Sequence, residues 1–150
     1  MKPLADIFHH TFHHNVRHAK WPQSFEEMGQ AYGLLFYQTI IQDHFADPAL
    51  LKIQGLHDRG YIYVNGNFRG ILTRMSEIYS MPLSINRGQK LQIIVENQGR
   101  ICYGANINDL KGIVSNVTID GKDLENWKMA SLPMDLNALN ELPKTPFETR

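Results

Sequence analysis

Three acidic side chains of this 150-residue chain, Asp58, Glu96 and Asp109, lie beside apolar segments where burial would raise a carboxyl pKa. Two carboxyls in such surroundings are the raw material of a catalytic acid–base pair. The plainer reading carries more weight: these acids make salt bridges and turn hydrogen bonds. Arg59 and Arg100 are expected to pair with Asp58 or Asp109, because a bidentate guanidinium fixes loop geometry well. His9, His10, His13, His14 and His18 crowd the N-terminus. On a helix over 4–18, His9/His13 and His10/His14 would be i, i+4 pairs able to chelate zinc, nickel or copper ions. A zinc site usually takes a third or fourth ligand, and no cysteine or acid is placed to supply it. A linker or a non-native segment is therefore favoured, and neither a metal nor another cofactor is expected. Cys102 is the only cysteine, which excludes an internal disulfide.

The elements that must position these residues are short and mostly extended. Residues 1–21 read as a histidine-rich segment or linker, 22–135 as one β-domain, and 136–150, with Pro143 and Pro146, as a linker or tail. Ser24-Phe25-Glu26-Glu27 has capping-box spacing and predicts a short helix over 25–30, ended by Gly33 at the latest. The apolar, β-branched run 33–41 reads as a strand buried on both faces, and 50–55 as the next. Asn65-Gly66 between two strand-like runs predicts a type I′ hairpin over 61–72. Asn86-Arg87-Gly88 marks a turn before a central strand at 90–96, Ile113–Ile119 reads as one further strand closed by Asp120-Gly121, and Trp127–Met134 as the last. Many short strands with closely spaced turns predict an all-β fold, a β-sandwich or jelly roll, with antiparallel pairing and a short N-terminal helical segment.

Composition excludes some classes of function. Apolar residues make up 43% and charged residues 20%, with 15 basic against 15 acidic side chains. That balance, without a basic stripe, argues against a nucleic-acid partner. No run approaches the length of a membrane-spanning helix, so no membrane partner is expected. The N-terminus has histidines where a signal peptide needs its apolar region, so a signal peptide is absent from this piece of chain.

Four ordered segments resemble one known family. They are Tyr32-Gly33-Leu34-Leu35-Phe36-Tyr37-Gln38-Thr39, His57-Asp58-Arg59-Gly60-Tyr61-Ile62-Tyr63-Val64-Asn65-Gly66, Val95-Glu96-Asn97-Gln98-Gly99-Arg100-Ile101-Cys102-Tyr103-Gly104 and Ile107-Asn108-Asp109-Leu110-Lys111-Gly112-Ile113. With the closing Trp127 and Leu132-Pro133-Met134-Asp135, they are similar to the β-domain that follows the catalytic barrel in glycoside hydrolase family 35 β-galactosidases, the animal lysosomal type above all. The resemblance implies a galactose-binding-domain-like jelly roll. It also implies a parent that hydrolyses terminal β-galactosides with retention, using two carboxyl groups about 5–5.5 Å apart. In the family that pair sits on a (β/α)₈ barrel of roughly 250 residues, too large for this chain. No acid here matches it, so the chain alone is expected to be non-catalytic, buttressing the absent barrel as its partner through loop 97–111.

On that reading one face should expose an apolar patch of several hundred Å². The alternative is a carbohydrate-binding module for galactosides, with aromatic faces and polar side chains drawn from Trp21, Tyr63, Arg100, Tyr103, Asn106 and Asn108; core packing is the stronger expectation for Tyr63 and Trp127. Asp58, Arg59, Arg100, Tyr103, Asn106, Asn108 and Asp109 are thus the candidates for either sugar binding or barrel docking. Asn116-Val117-Thr118 is a glycosylation sequon, at a place where the family carries one, and predicts an exposed Asn116 in a lysosomal or secreted parent.

Overall fold

Two strands of near-continuous apolar character demand cover on both faces, and the rest of the fold supplies it. The computed structural model describes residues 8, 11–12, 16–105 and 107–141. In chain order its strands are β1 (Val16–Ala19), β2 (Leu34–Ile40), β3 (Ala49–Lys52), β4 (Leu56–His57), β5 (Arg59–Val64) and β6 (Asn67–Thr73). They continue as β7 (Ser80–Leu83), β8 (Lys90–Glu96), β9 (Gly112–Ile113), β10 (Thr118–Ile119), β11 (Lys122–Asp123) and β12 (Trp127–Leu132). A helix, α1 (Leu136–Glu141), follows. All strand pairings are antiparallel, in a six-stranded sheet β1-β12-β2-β8-β5-β6, a four-stranded sheet β11-β10-β3-β7 and the pair β4-β9. The expected all-β sandwich is what forms.

Side-chain alternation sorts each central strand between two cores. Leu35 and Tyr37 of β2, Leu91, Ile93 and Val95 of β8, and Trp127 and Met129 of β12 pack with Leu51 of β3, Leu83 of β7 and Ile119 of β10. That cluster fills the space between the six- and four-stranded sheets, and Trp127 is wholly buried in it, as expected. Phe36, Ile94, Ala130 and Leu132 point to the other face, where Tyr63 joins them and Phe8 and Phe12 cover them. The Phe8 ring stands edge-on to Phe36 at 5.5 Å and to Tyr63 at 5.3 Å.

The hairpin at Asn65-Gly66 forms as its sequence requires, with φ of 49° and 77°. Its tip is tied to β8, since Gly66 N–H donates to Gln92 Oε1 at 2.7 Å and Lys90 N–H to Asn65 Oδ1 at 2.8 Å. Tyr37 is another tie: its buried hydroxyl donates to the Gln23 carbonyl at 2.7 Å and accepts from Ile113 N–H at 3.1 Å. Burial pushes that hydroxyl's pKa well above its ordinary value.

Four expectations change. The capping box at Ser24 and Glu27 is made in both directions, at 2.7 and 3.2 Å. It closes hydrogen-bonded turns over 25–29 rather than a helix, because the chain must bend back to enter β2. Ile113–Ile119 is divided: Gly112–Ile113 pairs with β4, while Thr118–Ile119 pairs with β3 and β11. Leu136–Glu141 is helical where a linker or tail is expected. Finally, Val16–Ala19 joins the main sheet along β12, so the segment before residue 22 is in part structural rather than a linker. No helix among the described residues is long and apolar enough to cross a membrane.

Candidate functional site

Asp58 stands between β4 and β5, at the start of the hairpin, and Asp109 lies near the end of loop 97–111. Lys111 joins them. Its ammonium group, almost fully buried, donates to Asp58 Oδ1 and Oδ2 at 2.9 and 3.1 Å and reaches Asp109 Oδ2 at 2.7 Å. Arg74, following β6, donates from Nη1 to Asp109 Oδ1 and Oδ2 at 2.7 and 2.9 Å and lies 3.6 Å from Asp58 Oδ1. Asp58 also accepts the Gln98 N–H at 2.8 Å, and His57 Nδ1 donates to the Leu110 carbonyl at 2.7 Å. Two carboxylates and two cations thus clamp both ends of the loop onto the sandwich.

The clamp is built for structure. Burial alone would push the Asp109 carboxyl up, but hydrogen bonds and charge from Lys111 and Arg74 outweigh it and hold the carboxyl below its usual range. A general acid needs the opposite displacement. Beside it, Glu26 takes the Lys111 N–H at 3.0 Å and the Arg100 guanidinium. There too burial would raise the pKa, and the bonds from Lys111 and Arg100 leave it lowered.

The arginine partners differ from those expected. Arg59 lies near Glu96, at 4.0 Å, and Glu96 accepts the Tyr61 hydroxyl at 3.0 Å. Arg100 turns to Glu26 and to the Ala31 carbonyl, at 3.3 Å from Nε and 3.1 Å from Nη2. Neither reaches Asp58 or Asp109, because β5 and loop 97–111 direct them to other neighbours. Lys111 and Arg74 take those places. A lysine set in the run Leu110-Lys111-Gly112-Ile113 was a usable signal, since a buried lysine needs an acid partner. Nothing local to Arg74 marked it.

Of the remaining candidates, Tyr103 is 91% exposed and Asn108 is also exposed, while Tyr63 is buried in the outer core. Asn106 and His9, His10, His13 and His14 lie outside the described residues. His18 is exposed on β1, and the Lys20 ammonium sits 4.9 Å over the half-buried Trp21 ring. Asn116 is exposed. Among the described residues no three His, Cys, Asp or Glu side chains gather as a metal site.

Over the clamp lies an open cleft of about 540 Å³, lined by Arg74, Met75, Gln98, Arg100 and Ile101 among others. Met75 beside it is 79% exposed, and loop 97–111 carries Ile107 and Leu110 at 58% and 49%. The arrangement holds apolar side chains in solvent on a rigid base.

The family model described as "Beta-galactosidase, first all-beta domain" matches residues 22–133. The chain is 40% identical over 117 residues to a β-galactosidase of Bos taurus, covering 77% of this chain and 18% of the relative. The corresponding protein of Homo sapiens is 37% identical over 117 residues, 77% of this chain and 17% of that protein. Beta-galactosidase 8 of Oryza sativa subsp. japonica is 38% identical over 152 residues, 94% of this chain and 22% of that protein. The chain therefore spans less than a quarter of the length of these relatives.

Proposed function

The chain belongs to the family of the first all-β domain of β-galactosidases, and from that premise we propose that it is the non-catalytic β-module of a glycoside hydrolase family 35 enzyme, docked on the catalytic barrel through loop 97–111. The observation that carries this reading is the exposure of Tyr103, Ile107, Leu110 and Met75 around a loop whose base is pinned by the Lys111 ion pairs. An interface gains most from apolar groups that need no further ordering. The parent would be a retaining hydrolase of terminal β-galactosides with its carboxyl pair on the barrel. Exposed Asn116, as a glycan acceptor, fits a lysosomal or secreted parent.

The chain alone is expected to leave a chromogenic β-galactoside unhydrolysed at acidic and neutral pH; turnover would overturn the non-catalytic reading. Mixed with the separately produced barrel of its parent, the chain should slow thermal inactivation of the barrel. Tyr103→Asp/Ile107→Asp should abolish that protection. A barrel indifferent to the wild-type chain, or protected equally by the variant, would overturn docking through this loop. A galactoside site on the same loop is the second reading. It retains Tyr103 and Asn108 as exposed groups, but Arg100 is already committed to Glu26 and Ala31.

A further inference from the structure

Among the described residues, the outer face of the six-stranded sheet is covered only in part. Phe8 and Phe12 cap it as far as Tyr63 on β5. The next strand, β6, lies at the edge of the sheet. Beyond that cover Phe68 is 53% exposed, Ile71 44% and Ile78 46%. Phe68 and Ile71 stand three residues apart, so a regular strand would send them to opposite faces. A bulge prevents that. Ile62 pairs with Gly70 and Tyr63 with Phe68, which leaves Arg69 as the extra residue. Phe68 thereby lies beside Tyr63, with 5.4 Å between ring centres, and Ile71 stands across from Tyr61, both on the outer face. Thr73 and Ile78 exchange backbone hydrogen bonds at 3.0 Å in each direction, which puts Ile78 on the same face as Thr73 and Ile71. Bulges re-aim side chains, and this one gathers apolar groups in solvent.

We propose that this strip of Tyr61, Phe68, Ile71 and Ile78 is a second contact surface for the catalytic barrel of the parent, continuous with the one at loop 97–111. The inference rests on docking of the barrel at that loop. Size argues for it. A stable interface takes about 800 Å² from each partner, roughly 20–30 residues a side. Tyr103, Ile107, Leu110 and Met75 cannot supply that alone. The strip adjoins them. β6 runs from Phe68 through Ile71 and Thr73 directly into the turn that carries Arg74 and Met75, and Met75 lines the cleft over the clamp. Arg59, Glu96 and the exposed Arg69 border the strip. An apolar centre with a charged rim is the usual anatomy of a protein contact. The same arithmetic disfavours a second copy of this chain as occupant, because four side chains are too few for a free-standing dimer.

The test is thermal inactivation of the parent's separately produced barrel, titrated with the full 150-residue chain. Phe68→Asp/Ile71→Asp is expected to raise the chain concentration for half-maximal protection at least about tenfold. Ile71→Lys alone, the milder variant, should shift it in the same direction. Leu50→Asp, at a similarly exposed apolar side chain on β3 of the other sheet, should leave it unchanged. Each variant enters the titration with a circular dichroism spectrum and melting curve like those of the wild type. Full protection by both strip variants, with Tyr103→Asp/Ile107→Asp still inactive, would overturn the strip and leave loop docking standing. A barrel indifferent to the wild-type chain would sink loop docking and the strip with it. Weakening by Leu50→Asp as large as by the strip variants would also overturn the proposal. So would a wild-type chain that sediments as a dimer and returns to monomer in Phe68→Asp/Ile71→Asp, since the strip would then belong to a second copy.

Discussion

Replacing Lys111 with methionine would leave the Asp58 and Asp109 carboxylates with only the partly exposed Arg74 as cation, apart from His57 beside Asp109. Removing one partner of a buried ion pair is strongly destabilising, and here the expected loss is about 3 kcal/mol in urea unfolding. Lys122→Met, which breaks the exposed pair with Asp43 at 2.8 Å, should cost less than about 1 kcal/mol. The pH response has a definite sign. The folded-state pKa of Asp109 lies below its unfolded value, so its stabilisation is complete above the ordinary carboxylate pKa and is lost as pH falls through the depressed folded one. Unfolding midpoints should therefore show no Asp109 contribution to pH dependence between about pH 7 and 5, and Asp109→Asn should flatten the fall below about pH 4. At this scale the acids were legible because they stand in motifs, and Lys111 left a usable signal in its apolar run, whereas Arg74 left none. Arg74 is distant in sequence from both Asp58 and Asp109, and only the β5–β6 hairpin brings it alongside.

Elements were legible wherever the determinant is local. Asn65-Gly66 demands positive φ, and the pairing of β5 with β6 follows from that turn. Strand boundaries that depend on distant partners were not legible. β1, of sequence Val-Arg-His-Ala, has no apolar alternation and is a strand because β12 offers it an edge. The residues between β9 and β10 change sheets, which no periodicity announces. Two glycine substitutions separate local strain from tertiary approach. At Gly33, with φ of 97°, a Cβ would lie 2.4 Å from the Leu132 carbonyl oxygen and 2.7 Å from Pro133, all backbone atoms. Gly33→Ala should cost about 3 kcal/mol, because β2 and β12 must part to admit it. At Gly66, with φ of 77°, nothing lies within 4 Å of a Cβ, so Gly66→Ala should cost about 1 kcal/mol from backbone conformation alone. Denaturation midpoints of the two variants measure the difference.

For the whole molecule, the family match begins at residue 22, yet the outer face of the six-stranded sheet is closed by residues before it. Deleting residues 1–21 should remove β1 and uncover Phe36, Tyr63 and Ile94. Phe8 and Phe12 alone are worth about 2 kcal/mol each in burial. The shortened chain is expected to bind a hydrophobic dye and to associate in gel filtration, while the full chain does neither. This was the least legible scale: the resemblance placed the sandwich, but polar, histidine-rich surroundings concealed two aromatic anchors four residues apart. The position of β12 between β1 and β2 has a consequence for how the protein is made. A ribosome releases both outer strands long before the one that unites them, so the six-stranded sheet closes only after Leu132 has emerged from the exit tunnel. A nascent chain stalled short of Trp127 presents an open β2 edge beside uncovered aromatic rings, the kind of surface a chaperone holds until synthesis is complete.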